Sequence, residues 1–303
     1  MAGTIPEYTI YTVLEKPENW LYYEDTTYIW YIDVIYSGTK YRGFYMAEYR
    51  PAINGSLGYT HVNENGYVNH QVYWFKVEPI KWRILTTSGN SAYLMCDVAL
   101  DCFWLEPNRD HGGYNGENGV FRKDQNGNLD GTYANNWEYC FLRQWLNETF
   151  YNEVFNDLQK KIIQTTHLDN SAISSNPNDY PKYYSNSQNA PGENKYAAQC
   201  KDTDDKIFLL SLRDITTTKY GFNKEVRAED PARNLTATDF AKFRGAPMDI
   251  YDKTYVTWFT RSPTLGGNSG YATFVLDGHA KGALRSIDLE PDGGVVPALW
   301  ITL

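Results

Sequence analysis

The sequence predicts an α+β fold of mainly antiparallel, twisted sheets with short flanking helices and long loops. Three observations carry that expectation. Short aromatic and β-branched runs, broken by turn residues, fill the chain up to Leu85; one amphipathic helical stretch lies near its middle; and hairpin signals fall on either side of that stretch.

The early runs are "YTIYTVL", "TTYIWYIDVIY", "KYRGFYMAEY", "HQVYWFKV" and "IKWRIL". Next, Ser88-Gly89-Asn90 separates "KWRILTT" from "AYLMCDVAL", which reads as a hairpin at the centre of the fold. Residues 104–136, rich in Gly, Asn and Asp, read as an inserted loop. In "NWEYCFLRQWLNETFYNEVFNDLQKKII", Leu142, Trp145, Leu146 and Phe150 recur at helical steps, and Asn156 precedes "DLQKKII" as an N-cap, so two short helices are expected. A second polar loop, "NSAISSNPNDYPKYYSNSQNAPGENKY", follows.

Beyond it, "DDKIFLLS" reads as a buried strand. Ser211 and Asp214 have the spacing of a helix cap, and Thr236 and Asp239 repeat it before "FAKFRG", which Gly245 ends. Asp277-Gly278 signals a late hairpin between "GYATFVL" and "HAKGALRSI". The apolar "VVPALWITL" is expected to close the sheet against the start of the chain, so that strands from both ends share one sheet. The whole reads as a single domain over 1–303, with a β-rich extension over about 1–75 and the insert at about 104–136.

Composition excludes several classes of function. Lys and Arg number 28 against 37 Asp and Glu, a formal charge of -9 that opposes phosphate backbones and anionic lipid, so nucleic acid is not an expected partner. Membrane insertion is not expected either, for want of a run of about 18 apolar residues. The opening segment lacks the order of a secretory signal, which leaves cytoplasmic and exported settings open at this point. Cys96, Cys102, Cys140 and Cys200 have no paired metal spacing and read as incidental thiols. The 26 tyrosines suit wet binding surfaces and half-buried sheets alike.

The ordered set "VEPIKWRIL", "LMCDVALD", "NNWEYCFLRQWLNETFYNEVF", "DDKIFLLS", "LTATDFAK", "WFTRSP" and "GGVVPALWI" resembles an uncharacterised bacterial domain family found in surface proteins of gut Firmicutes. That family is similar to the C-type lectin-like fold of formylglycine-generating enzymes and of the variable proteins of diversity-generating retroelements. The resemblance implies a C-type lectin-like fold, a place outside the cell or on its surface, and ligand contacts on the late strands and their loops. Val296 stands where the family usually carries arginine before the proline. The related oxidases need a late cysteine pair, and no cysteine follows Cys200.

Candidate residues follow from these readings. Trp258, Asn268, Tyr271, Thr273, His279, Lys281 and Arg285 are expected to form a polar and aromatic platform for a glycan or a protein surface. Arg261, in "WFTRSP", is assigned to the frame through stacking on Trp258 or Phe259; Trp82, Arg143 and Trp145 are assigned there too. Asp124, Asn126, Asn128 and Asp130 place oxygen ligands at every second residue, half of a calcium loop, whose sixth and twelfth positions are Leu129 and Asn135 rather than glycine and glutamate. Calcium is therefore the one cofactor considered. Without a nucleophile elbow, phosphate loop or zincin motif, the chain is expected to be a non-catalytic binding module. The alternatives are a hydrolase or oxidase with a cleft site, and a structural or display subunit of a surface or phage assembly.

Overall fold

A computed structural model describes residues 12–13, 30–46, 57–68, 71–103, 109–114, 117–124, 126–170, 200–225, 230–248, 254–263, 271–275, 284–288 and 293–303. The architecture is α+β, with mostly antiparallel sheets and short helices. The central sheet has the order β13 (Phe208–Leu209), β18 (Pro297–Thr302), β6 (Ser91–Cys96) and β5 (Trp82–Ser88). β5 and β6 form the expected hairpin, turned at Gly89, whose φ is +55°. Only β6 is central, though. β5 lies at the edge, because the apolar last strand takes β6's other side with Trp300 opposite Tyr93, their rings stacked at 4.8 Å.

Among the described residues, strands from the two ends of the chain do not share a sheet. β1 (Thr12–Val13), β2 (Trp30–Tyr36), β3 (Thr39–Met46) and β4 (Gln71–Lys76) form their own antiparallel sheet in that order. Ser37 and Gly38 join β2 to β3 with φ of 48° and 76°, a left-handed pair that suits a two-residue hairpin. Each end has a nearer apolar partner. Phe44 stacks on Phe240 at 4.9 Å, and Phe75 meets Phe243 at 5.3 Å, so the N-terminal sheet docks on α5 (Asp239–Phe243). α1 (Leu57–Glu64), unexpected from the sequence, is followed by Asn65, whose Nδ2 donates to the carbonyls of Lys242 and Ala246 at 3.0 Å. Those carbonyls lie at the C-terminal end of α5, where helix carbonyls lack partners within the helix.

The 104–136 insert is a sheet rather than a loop. β8 (Arg109–Tyr114), β9 (Glu117–Lys123) and β10 (Leu129–Tyr133) run antiparallel in the order β10-β9-β8. Tyr114 pairs with Glu117 across Asn115-Gly116, a hairpin dipeptide that the polar composition had masked.

α2 (Phe141–Trp145) continues through a π turn, Leu146–Phe150, into α3 (Tyr151–Val154), and α4 (Asp157–Ile162) follows. Asn156 caps α4 as expected, and Gln159 completes a capping box. α5 is capped by Thr238, whose hydroxyl accepts from Ala241 N, and not by Thr236. After α5, Gly245 adopts φ +97° and its N–H donates to Lys242 O. Ser211 and Asp214 do bond reciprocally, but two short 3-10 turns, Asp214–Thr216 and Thr218–Tyr220, follow them rather than one helix, and neither turn has a side-chain cap.

The late sheet has the order β16 (Leu284–Asp288), β15 (Tyr271–Val275), β14 (Trp258–Pro263), β17 (Gly293–Val295) and β7 (Asp101–Phe103), with β14 and β17 parallel. One large core joins it to the central sheet and α2, centred on Trp137, Trp258, Phe208 and Met95. Val296 is fully buried there.

Candidate functional site

A polar cleft of about 290 Å³ opens beside the start of α2. Arg122 of β9 forms one wall; Glu138, Tyr139 and Cys140 lie on the approach to the helix; and Arg143, Gln144, Asn147 and Glu148 come from α2 and the π turn. The helical spacing of the last four places them along one side of the helix.

The cleft stands on a buried polar frame. Asp205, at the end of β12 (Thr203–Asp205), is fully buried, and its Oδ1 accepts from Arg143 Nε at 2.7 Å with Arg143 Nη2 also at 2.7 Å. Its Oδ2 accepts from Trp137 Nε1 and from Thr203 Oγ1, both at 2.9 Å. Thr203 Oγ1 accepts from Asn170 Nδ2 at 3.0 Å, and Asn170 Oδ1 accepts from Arg261 Nε at 3.3 Å. Arg261 Nη1 then donates to Leu209 O and to Asp214 Oδ2, each at 3.0 Å. A continuous chain of hydrogen bonds thus runs from the cleft wall to β14, with its charges paired as burial requires. Asn147 adds a clasp, with Nδ2 on the carbonyls of Arg143 and Ile207 and Oδ1 on the N–H groups of Lys206 and Ile207.

At the cleft Arg143 Nη1 donates to Glu138 O at 2.7 Å, Arg122 Nη1 pairs with Asp130 Oδ2 at 3.1 Å, and Gln144 Nε2 donates to Glu148 Oε2 at 3.1 Å. Glu138 Oε2 is shielded from solvent and has no hydrogen-bond partner among the described residues. Such a group costs free energy until something satisfies it. Tyr139 keeps an exposed ring.

The expected platform comes apart. Trp258 is fully buried, with Nε1 on Arg233 O at 3.1 Å, so it faces no ligand. Tyr271 and Thr273 lie on β15 and Arg285 on β16, but the register pairs Arg285 with Phe274 and Thr273 with Ser286. Because neighbours alternate, Arg285 belongs to the opposite face of the ribbon from Tyr271 and Thr273. An uninterrupted two-residue turn at Asp277-Gly278 would pair Val275 with Ala280, whereas Val275 pairs with Leu284. Asn268, His279 and Lys281 lie outside the described residues.

The frame assignments have clear geometry. Arg261 is buried, but the ring beneath it is Phe208, 5.9 Å from its guanidinium carbon, and not Trp258 or Phe259. Trp145 packs on Phe150 at 5.4 Å and Trp82 lies 6.3 Å from Phe155. Arg143 belongs both to the frame and to the cleft. The sequence carried no signal for Glu138, because a lone carboxylate before a helix looks like any solvated turn residue.

Asp124 Oδ1 accepts from the N–H groups of Asn126 and Asn128, and Asp130 Oδ1 accepts from Thr132 N, so these carboxylates hold their own turns. Among the described residues no group of three or more His, Cys, Asp or Glu side chains has the arrangement of a metal site. Cys96 ends β6 and Cys102 lies on β7, so the two do not share a strand; all four cysteines are buried and none is in a disulfide. Burial pushes the Cys96 and Cys200 thiols up to about 11.

A family model described as a domain of unknown function (DUF6273) matches residues 108–303, from the insert to the last residue. The match takes in the cleft, β11 (Thr166–Leu168), β12 and the late sheet apart from β7, and leaves out β5 and β6. No curated protein and no solved structure matches the chain. With about two thirds of its length matched, the chain belongs to the DUF6273 family.

Proposed function

We propose that the chain is a non-catalytic binding module of C-type lectin-like architecture that recognises a glycan or a protein on a cell surface, and that the cleft beside α2 is its contact site. The lectin-like architecture and the surface setting rest on the ordered motifs from "VEPIKWRIL" to "GGVVPALWI". The contact site rests on one observation. Glu138 lines the cleft among guanidinium and amide groups already fixed by the frame, and its Oε2, tucked behind the surface, has no hydrogen-bond partner among the described residues. Preset polar groups converging on a concave surface are what a binding site needs.

Covalent chemistry finds little support in the same lining. Cys140, the cysteine in the lining, is buried. A hydrolase is the second reading, because two carboxylates, Glu138 and Glu148, line one cleft.

A glycan array and a surface-protein pull-down with the intact chain, run beside an assay for released reducing ends, separate the readings. Binding without turnover, weakened by Glu138→Gln, is the expected result. Turnover that Glu138→Gln or Glu148→Gln abolishes would establish the hydrolase instead.

A further inference from the structure

We infer that the group entering this cleft is one uncharged sugar ring, held through its hydroxyls by Glu138 and Arg143 and through its apolar face by Tyr139; the inference rests on the cleft being the binding site. Charge is the first argument. Arg122 and Arg143 are already matched by Asp130 and Asp205, and Glu138 and Glu148 add two negative charges to the lining. An anion would meet net negative charge in a chain that already carries -9. A neutral ligand escapes that penalty; a cation does not meet it, which is why free lysine is one of the probes below.

The pattern of donors and acceptors narrows the class further. Glu138 lines the cleft and its Oε2 lacks a donor among the described residues; a turn about the terminal side-chain bond is the move by which the carboxylate would take one from a ligand. Arg143 makes its three contacts with Asp205 Oδ1 and Glu138 O and has further N–H groups to offer, since a guanidinium carries five. An acceptor beside donors calls for a ligand group that is both donor and acceptor, which a hydroxyl is. Tyr139, 44% exposed, adds a broad ring face of the kind that covers the C–H side of a sugar. A volume near 290 Å³ is at the small end of ligand sites and suits one ring better than an extended chain.

Asp205 acts here as a positioning residue. It touches nothing in the cleft but holds two nitrogens of the Arg143 fork, so the guanidinium is set before a ligand arrives.

The test is titration calorimetry of the whole chain with glucose, galactose, mannose and N-acetylglucosamine, and with inorganic phosphate and free lysine as charged probes. Amide shifts of residues 138–148 are followed in parallel. At least one sugar is expected to bind and to move those amides. Loss of one charge-assisted hydrogen bond in Glu138→Gln should weaken it by about tenfold. Tyr139→Ala should weaken it as well, and Tyr139→Phe should retain it, with melting temperatures that report intact folding. Sugar binding indifferent to both Glu138→Gln and Tyr139→Ala would overturn the inference. So would phosphate or lysine binding that moves the 138–148 amides when no sugar does, although the cleft would then stand as a site. Silence of every probe, with those amides unmoved, would overturn the sugar inference and the cleft reading together.

Discussion

Asp205 and Arg143 form the joint between the core and the cleft. One carboxylate oxygen takes both Nε and Nη2 of the arginine at 2.7 Å, while the other takes Trp137 and Thr203. The side chain of Asp205 is fully buried and that of Arg143 only partly so, which places a fixed charge under an accessible one. Removing the buried member should therefore cost both stability and binding. Asp205→Asn is expected to lose about 3–5 kcal/mol in urea unfolding, because a desolvated guanidinium loses its counter-charge. A loss under about 1 kcal/mol would show that Arg143 finds another partner.

Arg261 should matter to folding more than to binding. It anchors Leu209 O, Asp214 and Asn170 from a site only 7% exposed. Arg261→Ala takes that donor from Leu209 O and Asn170 Oδ1 and leaves Asp214, still bonded by Ser211, without its counter-charge, and is expected to cost about 3 kcal/mol or more. Thermal melting checks it: an unchanged curve would contradict the buried pairing.

Two glycines separate packing from mobility. A Cβ at Gly43 would lie 2.5 Å from the Trp74 ring, and one at Gly293 would meet the Phe259 ring still more closely. Trp74 is half-buried and has room to swing outward, but Phe259 is fully buried. Gly293→Ala is therefore expected to cost about 1–3 kcal/mol and Gly43→Ala distinctly less, as chemical denaturation of the two variants would show. The reverse order would mean that the late sheet yields more easily than its packing implies.

The thiols give a direct probe of core integrity. All four are buried, and Cys96 and Cys200 sit near 11, so the native chain should react slowly with a disulfide reagent at neutral pH and take up four equivalents when denatured. Rapid reaction of even one thiol in the folded state would contradict its burial.

Two contributions to the pH dependence have opposite signs. Hydrogen bonds from Arg42, then from Lys40, hold Asp33 down to about 2. A depressed carboxyl stabilises the fold above its unfolded value of about 3.9, and that contribution disappears as pH falls from about 4 towards 2. At His167, Asp204 and then Asp202 raise the imidazole pKa. That contribution is complete below the unfolded value of about 6.5 and is lost as pH rises through the raised folded value. Hydrogen exchange of β2–β3 and of β11–β12 should accelerate in those respective windows, and Asp33→Asn and His167→Ala should each remove one effect.

Local devices were the legible part of the fold. The β5–β6 hairpin, the Asn156 cap and the Ser211–Asp214 pair depend on residues within a few positions of one another, and the structure retains each. Long-range pairing was not legible. β18 is apolar enough to join any sheet, and what places it beside β6 is the fit of Trp300 on Tyr93 and the burial of Val296 and Ala298. The insert misled because its Gly and Asn content resembles a loop, while β8 and β9 pair there as far as Tyr114 and Glu117. The late platform fails on strand faces: with the two-residue Asp277-Gly278 turn or with the observed register, which sets Arg285 against Phe274, Arg285 falls on the face opposite Tyr271 and Thr273. Arg143 was legible as a frame residue by its motif, but the cleft required Asp205, sixty-two residues away, to be brought beneath it.

The most direct test of the cleft as the contact site is hydrogen–deuterium exchange of the intact chain with and without a glycan that binds it on the array. Slower exchange concentrated in residues 138–148 is the predicted result. Slower exchange confined to β15 and β16, with 138–148 unchanged, would place the contact on the late ribbon and contradict it.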